Sequence, residues 1–276
     1  MTAFIRPRSL AEALETRAAH PEYMVLAGGT DLMVNANHKP DPAGILDLWR
    51  LGELGTITAD GDRVSIGAGA TWLEISRHEI IRTKLAPLAL AAREIGALQI
   101  QARGTLGGNV GTSSPVGDSL PVLLALDAEL EVASVRGRRR VPYREWCTGY
   151  RKTQLAADDL IVAAHLPLPD ARTRTTWRKV GTRRAQSISK VMGAAAITLE
   201  GDTVVSARVA LGAIADRPIR LAAVEDAVRG QKLSAAGEAA RAAVRTSIHP
   251  IDDIRSTAIY RREVAENLVA RFFSMS

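Results

Sequence analysis

Apolar and polar positions along this chain change period repeatedly, and the changes predict an α+β fold rather than a helical bundle or an all-β sandwich. Ser9-Leu-Ala-Glu12 has the spacing of a helix capping box and opens a short helix expected to end before Pro21. An apolar run at 23–27 predicts a strand that enters Gly28-Gly29-Thr30-Asp31, and a second strand is expected at 45–48. Residues 56–66 (TITADGDRVSI) alternate on both sides of Asp60-Gly61, a pair suited to the positive φ of a tight hairpin. Thr71 and Glu74 repeat the capping-box spacing ahead of helices expected near 72–79 and 87–96. The stretch 103–109 reads as a loop, and Pro115-Val-Gly-Asp118 leads into a helix through Leu126.

Further along, strands are expected at 129–135 and 159–166, with the basic stretch 136–140 (RGRRR) decorating a hairpin. Residues 167–174 (PLPDARTR) carry proline and polar side chains without pattern and mark the expected domain boundary. Beyond them, 191–199 and 203–212 form a strand pair about Gly201-Asp202, followed by helices near 219–228, 235–246 and 256–273. The expected organisation is an N-terminal domain over 1–174 and a smaller α+β domain over 175–276, of antiparallel sheet and helices.

Composition narrows the chemistry. Hydrophobic residues make up 46% and charged residues 24% of the 276 positions, which is ordinary for a globular protein. No apolar run reaches the roughly 18–20 residues of a membrane span. The start of the chain (MTAFIRPRSL) has no apolar segment of the secretory kind, so a cytoplasmic location is expected. Cys147 is the single cysteine, which excludes an intrachain disulfide and a four-thiolate iron–sulfur cluster. His20, His38, His78, His165 and His249 are scattered without zinc-site spacing. Any metal-centred redox chemistry would therefore lie on another chain. The net charge of +6 raises the question of nucleic acid. Yet the basic clusters at 136–140, 172–179 and 183–184 lack interleaved aromatics and match no nucleic-acid motif, so a docking face, an anionic cofactor or solvation accounts for them better.

Two glycine-rich segments remain, AGGTD at 27–31 and TLGGN at 105–109. Paired glycines let backbone N–H groups approach an anion that side chains would hold off. Each segment also brings small polar groups, the second continuing into Thr112, Ser113 and Ser114. Neither is a GxGxxG fingerprint or a Walker motif. A tight turn explains either segment alone; two together point to an anionic ligand without identifying it.

At these segments the chain resembles the FAD-binding, or medium, subunit of molybdenum hydroxylases, the group of xanthine dehydrogenase and aerobic carbon monoxide dehydrogenase. The resemblance rests on TLGGNVGTSSPVGDSLPVLLALDAELEV at 105–132, supported by AGGTDL at 27–32, TGYRKT at 148–153, WRKVGTRRAQSISKV at 177–191 and YRREVAENLVARFF at 260–273. It implies a two-lobed FAD-binding domain of the vanillyl-alcohol oxidase (PCMH) type, followed by a smaller α+β domain. It also implies FAD contacts from Val25, Leu26, Ala27, Gly28, Gly29, Thr30, Asp31 and Leu32, and from Thr105, Leu106, Gly107, Gly108 and Asn109. Asp118, Ile95, Ile161 and Lys179 fall where the family has cofactor-touching residues, Lys179 as a cation that would stabilise reduced flavin. From the residues alone, Asp118 could equally cap the helix that follows it, Ile95 and Ile161 could be plain core, and Tyr150 could face the cofactor or pack inside.

The resemblance further implies non-covalent FAD, since neither glycine segment holds a cysteine or histidine. It places the molybdenum cofactor on a large partner subunit and two [2Fe–2S] clusters on a small one, in a heterotrimer that pairs into a dimer of heterotrimers. NAD+ or another acceptor would take the electrons, and a xanthine dehydrogenase-like complex is favoured. A carbon monoxide dehydrogenase-type medium subunit, a self-sufficient flavoprotein oxidoreductase and a scaffold without FAD remain as alternatives.

Overall fold

The computed structural model describes residues 2–38, 40–183 and 186–274, which build three sheets packed with helices and one two-stranded ribbon. Met1, Lys39, Arg184, Ala185, Met275 and Ser276 lie outside the described residues, so one arginine of the 183–184 cluster is not placed.

The first lobe joins β1 (Ala3–Ile5), α1 (Leu10–Ala19), β2 (Met24–Leu26) and β3 (Gly44–Asp47). Its parallel sheet runs in the order β1-β3-β2. Ser9 caps α1 by accepting from Glu12 N at 3.2 Å, but the Glu12 carboxylate reaches back to Arg8 N at 2.7 Å, one residue earlier than a capping box requires. Leu10, Ala13, Leu46, Leu48 and Leu54 form a modest core under α1, closed from below by Leu160 and Val162.

The second lobe begins with the hairpin of β4 (Ile57–Asp60) and β5 (Arg63–Gly67), turned by Gly61 at φ 58°. A run of short helices follows: α2 (Trp72–Arg77), α3 (Glu79–Lys84), α4 (Ala86–Glu94), α5 (Leu98–Gln101), α6 (Leu106–Thr112) and α7 (Leu120–Ala125). Thr71 and Glu74 form a complete capping box on α2. The helix expected over 72–79 instead breaks at His78, whose extended backbone (φ −64°, ψ 129°) starts α3. The segment 103–109 is likewise a loop only as far as Thr105. From Leu106 it is helical, because Thr105 Oγ1 accepts from Gly108 N at 3.1 Å and buried Leu106 and Val110 anchor the turn, offsetting the poor helix propensity of Gly107 and Gly108.

The lobe closes with β6 (Glu129–Ser134), β7 (Gly137–Pro142), α8 (Tyr143–Trp146), the small pair β8 (Cys147–Gly149) and β9 (Lys152–Thr153), and β10 (Leu160–Pro167). Its antiparallel sheet has the order β4-β5-β10-β6-β7. The basic stretch lies on β7 and its turn, facing carboxylates. Arg138 meets Glu131 at 2.6 Å, Arg139 meets Asp159 at 2.6 Å, and Arg136 pairs with Asp158. These guanidiniums are partnered within the fold.

The C-terminal unit is an antiparallel sheet in the order β11 (Thr173–Val180), β12 (Val191–Glu200), β13 (Thr203–Gly212) and β14 (Ile219–Arg220), backed by α9 (Ala222–Val228), α10 (Leu233–Ser247) and α11 (Ala258–Ser274). Both faces of this sheet are buried. Ala194, Ala196 and Ala210 point into the core of the second lobe, whereas Val191, Ala195, Ile197, Val209 and Leu211 pack with the helices. That is why β12 reads as an almost unbroken apolar run rather than an alternation. Sequence pattern missed β11 because Trp177 is its single fully buried residue; the others flank it as threonines and cations.

One pH-sensitive contact lies on the central sheet. His165 Nε2 and Arg138 Nη1 both meet the Glu131 carboxylate, at 2.8 and 2.6 Å. Burial pulls this carboxyl up, but the hydrogen bonds from Arg138 and His165 outweigh burial and hold it below its ordinary value. A depressed carboxyl stabilises the fold above the unfolded-chain value and loses that contribution as pH falls through the folded one. Glu131→Gln is therefore expected to lower stability at neutral pH, with the difference from wild type closing in acid. Urea unfolding at a series of pH values measures this, and a pH-independent gap would contradict it.

Candidate functional site

A cleft of about 700 Å³ runs between the first and second lobes. Of residues 25–32, all except Leu26 line it, as do Thr105, Gly107, Gly108, Asn109, Ile95 and Ile161. The fold thus gathers most of the residues singled out from sequence. Four do not reach the cleft. Leu26 is the last residue of β2, Leu106 is core at 1% exposure, and Asp118 and Lys179 lie behind the wall.

The glycines divide by what surrounds them. A Cβ at Gly28 would lie 1.8 Å from Arg103 O, and one at Gly107 would lie 2.7 Å from Ala68 Cβ, so both positions let backbone touch backbone. Gly29 takes φ 75°, in the left-handed region that a side chain disfavours. Gly108 borders the cleft, and an added Cβ would meet only Thr105 Oγ1, at 3.1 Å.

An inventory of backbone donors separates the two segments further. Leu106 N donates to Ala70 O, Gly107 N to Ala68 O, Gly108 N to Thr105 Oγ1 and Asn109 N to Thr105 O. The second segment therefore has its N–H groups committed, and Thr105 is spent capping its own helix. In the first segment, by contrast, the N–H groups of Gly28, Gly29, Thr30 and Asp31 have no acceptor among the described residues. Half-buried N–H groups such as those of Gly28, Gly29 and Thr30 are nearly always satisfied, so a row of free donors on residues lining a cleft suits an anion with several oxygens. Asn109 Oδ1 accepts from Ser119 at 2.7 Å, which orients its amide nitrogen.

Residues that pattern did not single out complete the walls. Asp31 reaches across the mouth to Thr112 Oγ1 at 3.4 Å and to Arg151 at 3.5 Å, so Arg151, rather than its neighbour Tyr150, is the cleft residue of TGYRKT. Tyr150 is 63% exposed. At one end stands Arg17 of α1, which donates from Nη1 to Tyr23 O at 2.8 Å while its buried Nε has no partner. Burial lowers this guanidinium from its ordinary value, partly offset by Asp158, Glu22 and Asp159. Nothing local in the sequence marks Arg17, which joins the site only because α1 packs against β3 and β6. No histidine and no cysteine is among the described residues that line the cleft. Cys147 instead sits near Ser113, with Sγ 3.0 Å from Oγ.

Residues 1–169 match the family described as the FAD binding domain in molybdopterin dehydrogenase, and residues 177–276 match the CO dehydrogenase flavoprotein C-terminal domain. The chain belongs to this flavin-subunit family. It is 29% identical to the nicotinate dehydrogenase FAD-subunit of Eubacterium barkeri, over 98% of this chain and 94% of that one. The xanthine dehydrogenase FAD-binding subunit of Escherichia coli O157:H7 is 30% identical over 99% of this chain and 94% of its own length. Among solved structures, carbon monoxide dehydrogenase from Hydrogenophaga pseudoflava superposes with a TM-score of 0.93 at 28% identity, covering 98% of this chain and 95% of that one. Those relatives are named as FAD-binding subunits of dehydrogenases. No cluster of metal-ligating side chains occurs among the described residues, and none of their helices is long and apolar enough to cross a membrane.

The donor set fits FAD. Its diphosphate needs closely spaced N–H donors, which the first glycine segment offers, and its length needs an elongated cleft between lobes. Asp118 and Lys179 contribute from behind. Lys179 Nζ, 5% exposed, lies 2.6 Å from Asp118 Oδ2 and 3.2 Å from Glu94 O, while Ser189 donates to Asp118 Oδ1 at 2.6 Å. Burial raises the Asp118 carboxyl, with Lys179 and Ser189 partly offsetting the rise. The carboxylate does not cap α7, whose first residue follows a Ser119 that makes no side-chain cap. The flavin subunit thus holds a buried ion pair between its second lobe and its C-terminal unit, one residue removed from the cleft-lining Ile95 and Gly117.

Two outcomes follow. Gly28→Ala is expected to destabilise the fold by about 1–3 kcal/mol through overpacking, whereas Gly108→Asp leaves stability nearly unchanged but sets a carboxylate in the cleft. Thermal melts paired with flavin content distinguish them: Gly108→Asp retaining wild-type flavin would remove the cleft from FAD binding. Lys179→Met strands the Asp118 carboxylate and is expected to cost about 3–5 kcal/mol, part of which Asp118→Asn in the same chain restores. A double-mutant cycle by urea unfolding reads this coupling.

Proposed function

We propose that this chain is the electron-transfer subunit of a molybdenum hydroxylase, carrying electrons that arrive from [2Fe–2S] clusters on a small partner subunit to NAD+ or another acceptor. The observation that carries the reading is the row of free N–H donors at 28–31 in a cleft between two lobes, on a chain whose lone cysteine leaves the metal centres to partners. FAD, when bound, supplies the conversion between one-electron donors and a two-electron acceptor.

In this reading, Gly28, Gly29, Thr30 and Asp31 hold the diphosphate, and Gly107 and Gly108 bring the opposite wall close. Asn109 is held by Ser119 with its amide nitrogen available to a phosphate oxygen. Arg17, Ile161 and Ile95 would be further wall residues against the cofactor. The Asp118–Lys179 pair acts at one remove as a positioning element that holds the C-terminal unit beside Ile95 and Gly117. Because the pair is internally neutralised, Lys179 tunes a neighbouring redox group less than a lone cation would. Non-covalent attachment follows from the lack of a nucleophilic cysteine or histidine at the cleft.

The domains are divided near residue 174, between a two-lobed FAD domain at 1–174 and a C-terminal domain at 175–276. The partners are a small iron–sulfur subunit and a large molybdopterin subunit, in a dimer of heterotrimers in the cytoplasm. The substrate of the complex is a purine or another N-heterocycle, in keeping with relatives named for xanthine and nicotinate.

The purified chain, given excess FAD and passed through gel filtration, is expected to retain about one flavin per chain and to release it as free FAD on denaturation. A colourless protein would overturn the cofactor assignment. Stopped-flow reoxidation of the photoreduced protein by NAD+ or by oxygen separates the acceptors.

A further inference from the structure

Away from the cleft, three exposed arginines line one concavity without an ion-pair partner among the described residues. Arg77 at the end of α2, Arg82 on α3 and Arg93 on α4 line a second concavity of about 290 Å³, floored by Gln101 of α5 and rimmed by Leu98. On β7 and at Arg220 this chain pairs arginines with acids, Asp127 lying 2.7 Å from Arg220. Arg77, Arg82 and Arg93 form no ion pair among the described residues. Of the acids nearest in sequence, Glu74 Oε2 accepts from Thr71 N at 2.8 Å and from Thr71 Oγ1 at 2.7 Å, Glu79 makes no ion pair with Arg82 one turn along, and Glu94 is engaged in an interaction of its own.

Like charges that converge on a concave surface repel one another unless an anion joins them, and the concavity focuses their field. Guanidinium is the group best shaped to grip phosphate with paired N–H donors. Gln101, 9% exposed, is fixed by donating from Nε2 to Arg93 O at 2.8 Å, which ties the floor to the helix bearing one of the arginines. Its Oε1 has no protein partner and can accept from a hydroxyl. A volume near 290 Å³ is larger than a single phosphate group and at the lower end of small-ligand pockets.

We propose that Arg77, Arg82 and Arg93 form a binding site for a small phosphate-bearing anion, separate from the flavin cleft. The site lies on the far side of α5 from the cleft, since Ile100 of that helix lines the cleft while Leu98 and Gln101 line the arginine pocket.

The test is calorimetric titration of the FAD-loaded full chain with inorganic pyrophosphate at low ionic strength, with flavin absorbance recorded so that loss of the cleft is seen separately. One saturable site per chain is expected, weakened by added salt. Arg77→Gln and Arg93→Gln are each expected to weaken it about tenfold, and the triple Gln variant to abolish it. Arg144→Gln, an exposed arginine on α8, leaves it unchanged. Absence of saturable binding overturns the proposal, as does binding that survives the triple substitution with flavin content intact. Loss of assembly with partner subunits in the triple variant, without any pyrophosphate binding to wild type, also overturns it and assigns the arginines to an acidic protein surface.

Discussion

Everything at the cleft depends on backbone meeting backbone where the two lobes touch. Gly28 of the first lobe lies against the Arg103 carbonyl of the second, and within the second lobe Gly107 lies against Ala68, at distances that leave no room for a Cβ. The Gly28–Arg103 contact brings the lobes together at the cleft. The Gly107–Ala68 contact uses the N–H groups of the second segment for fold-internal hydrogen bonds, while those of the first segment are left for the ligand. Arg103 adds to the clasp from outside, its guanidinium stacked 3.8 Å over the Trp49 ring. Glycine pairs that look equivalent in sequence therefore have different duties: one is a donor row, the other a wall.

The second constraint is the doubly buried C-terminal sheet. Small residues on one face, Ala194, Ala196 and Ala210, let it lie close to α7 and α4, while larger aliphatics on the other face pack under α10 and α11. Trp177 inserts from β11 and donates from Nε1 to Asp118 O at 3.0 Å, beside the Asp118–Lys179 pair. Apolar area supplies most of the attachment, and the ion pair restricts it to one register, because a buried carboxylate tolerates only the arrangement that returns its partner. The cleft wall at Ile95 and Gly117 lies directly beside this junction.

Much of this was legible along the chain. The Asp60-Gly61 hairpin, the Thr71–Glu74 capping box and the strand pair about Gly201-Asp202 stand where local signals put them, since each is governed by residues within a few positions of one another. The helix at Leu106 and the strand at Thr173–Val180 were not legible. The glycines of α6 carry weak helix propensity, β11 lacks an alternating apolar pattern, and the choice falls to Leu106, Val110 and Trp177 finding buried partners remote in sequence. Likewise Asp118 could be narrowed to a cap or a cofactor contact, but its bonding to Lys179 and Ser189 spans more than sixty residues.

The sequence by itself determined the class of fold, the two glycine segments, the family they belong to and the need for partner-borne metal centres, because residue type and short spacing carry that information. Tertiary structure alone decided which segment keeps its N–H groups free, that Arg17 and Arg151 join the cleft, that Lys179 is neutralised behind it, and that three unpaired arginines share a second pocket. Each of those turns on what lies across a contact between distant elements: a donor is free, or a charge unpaired, only with respect to neighbours that folding brings.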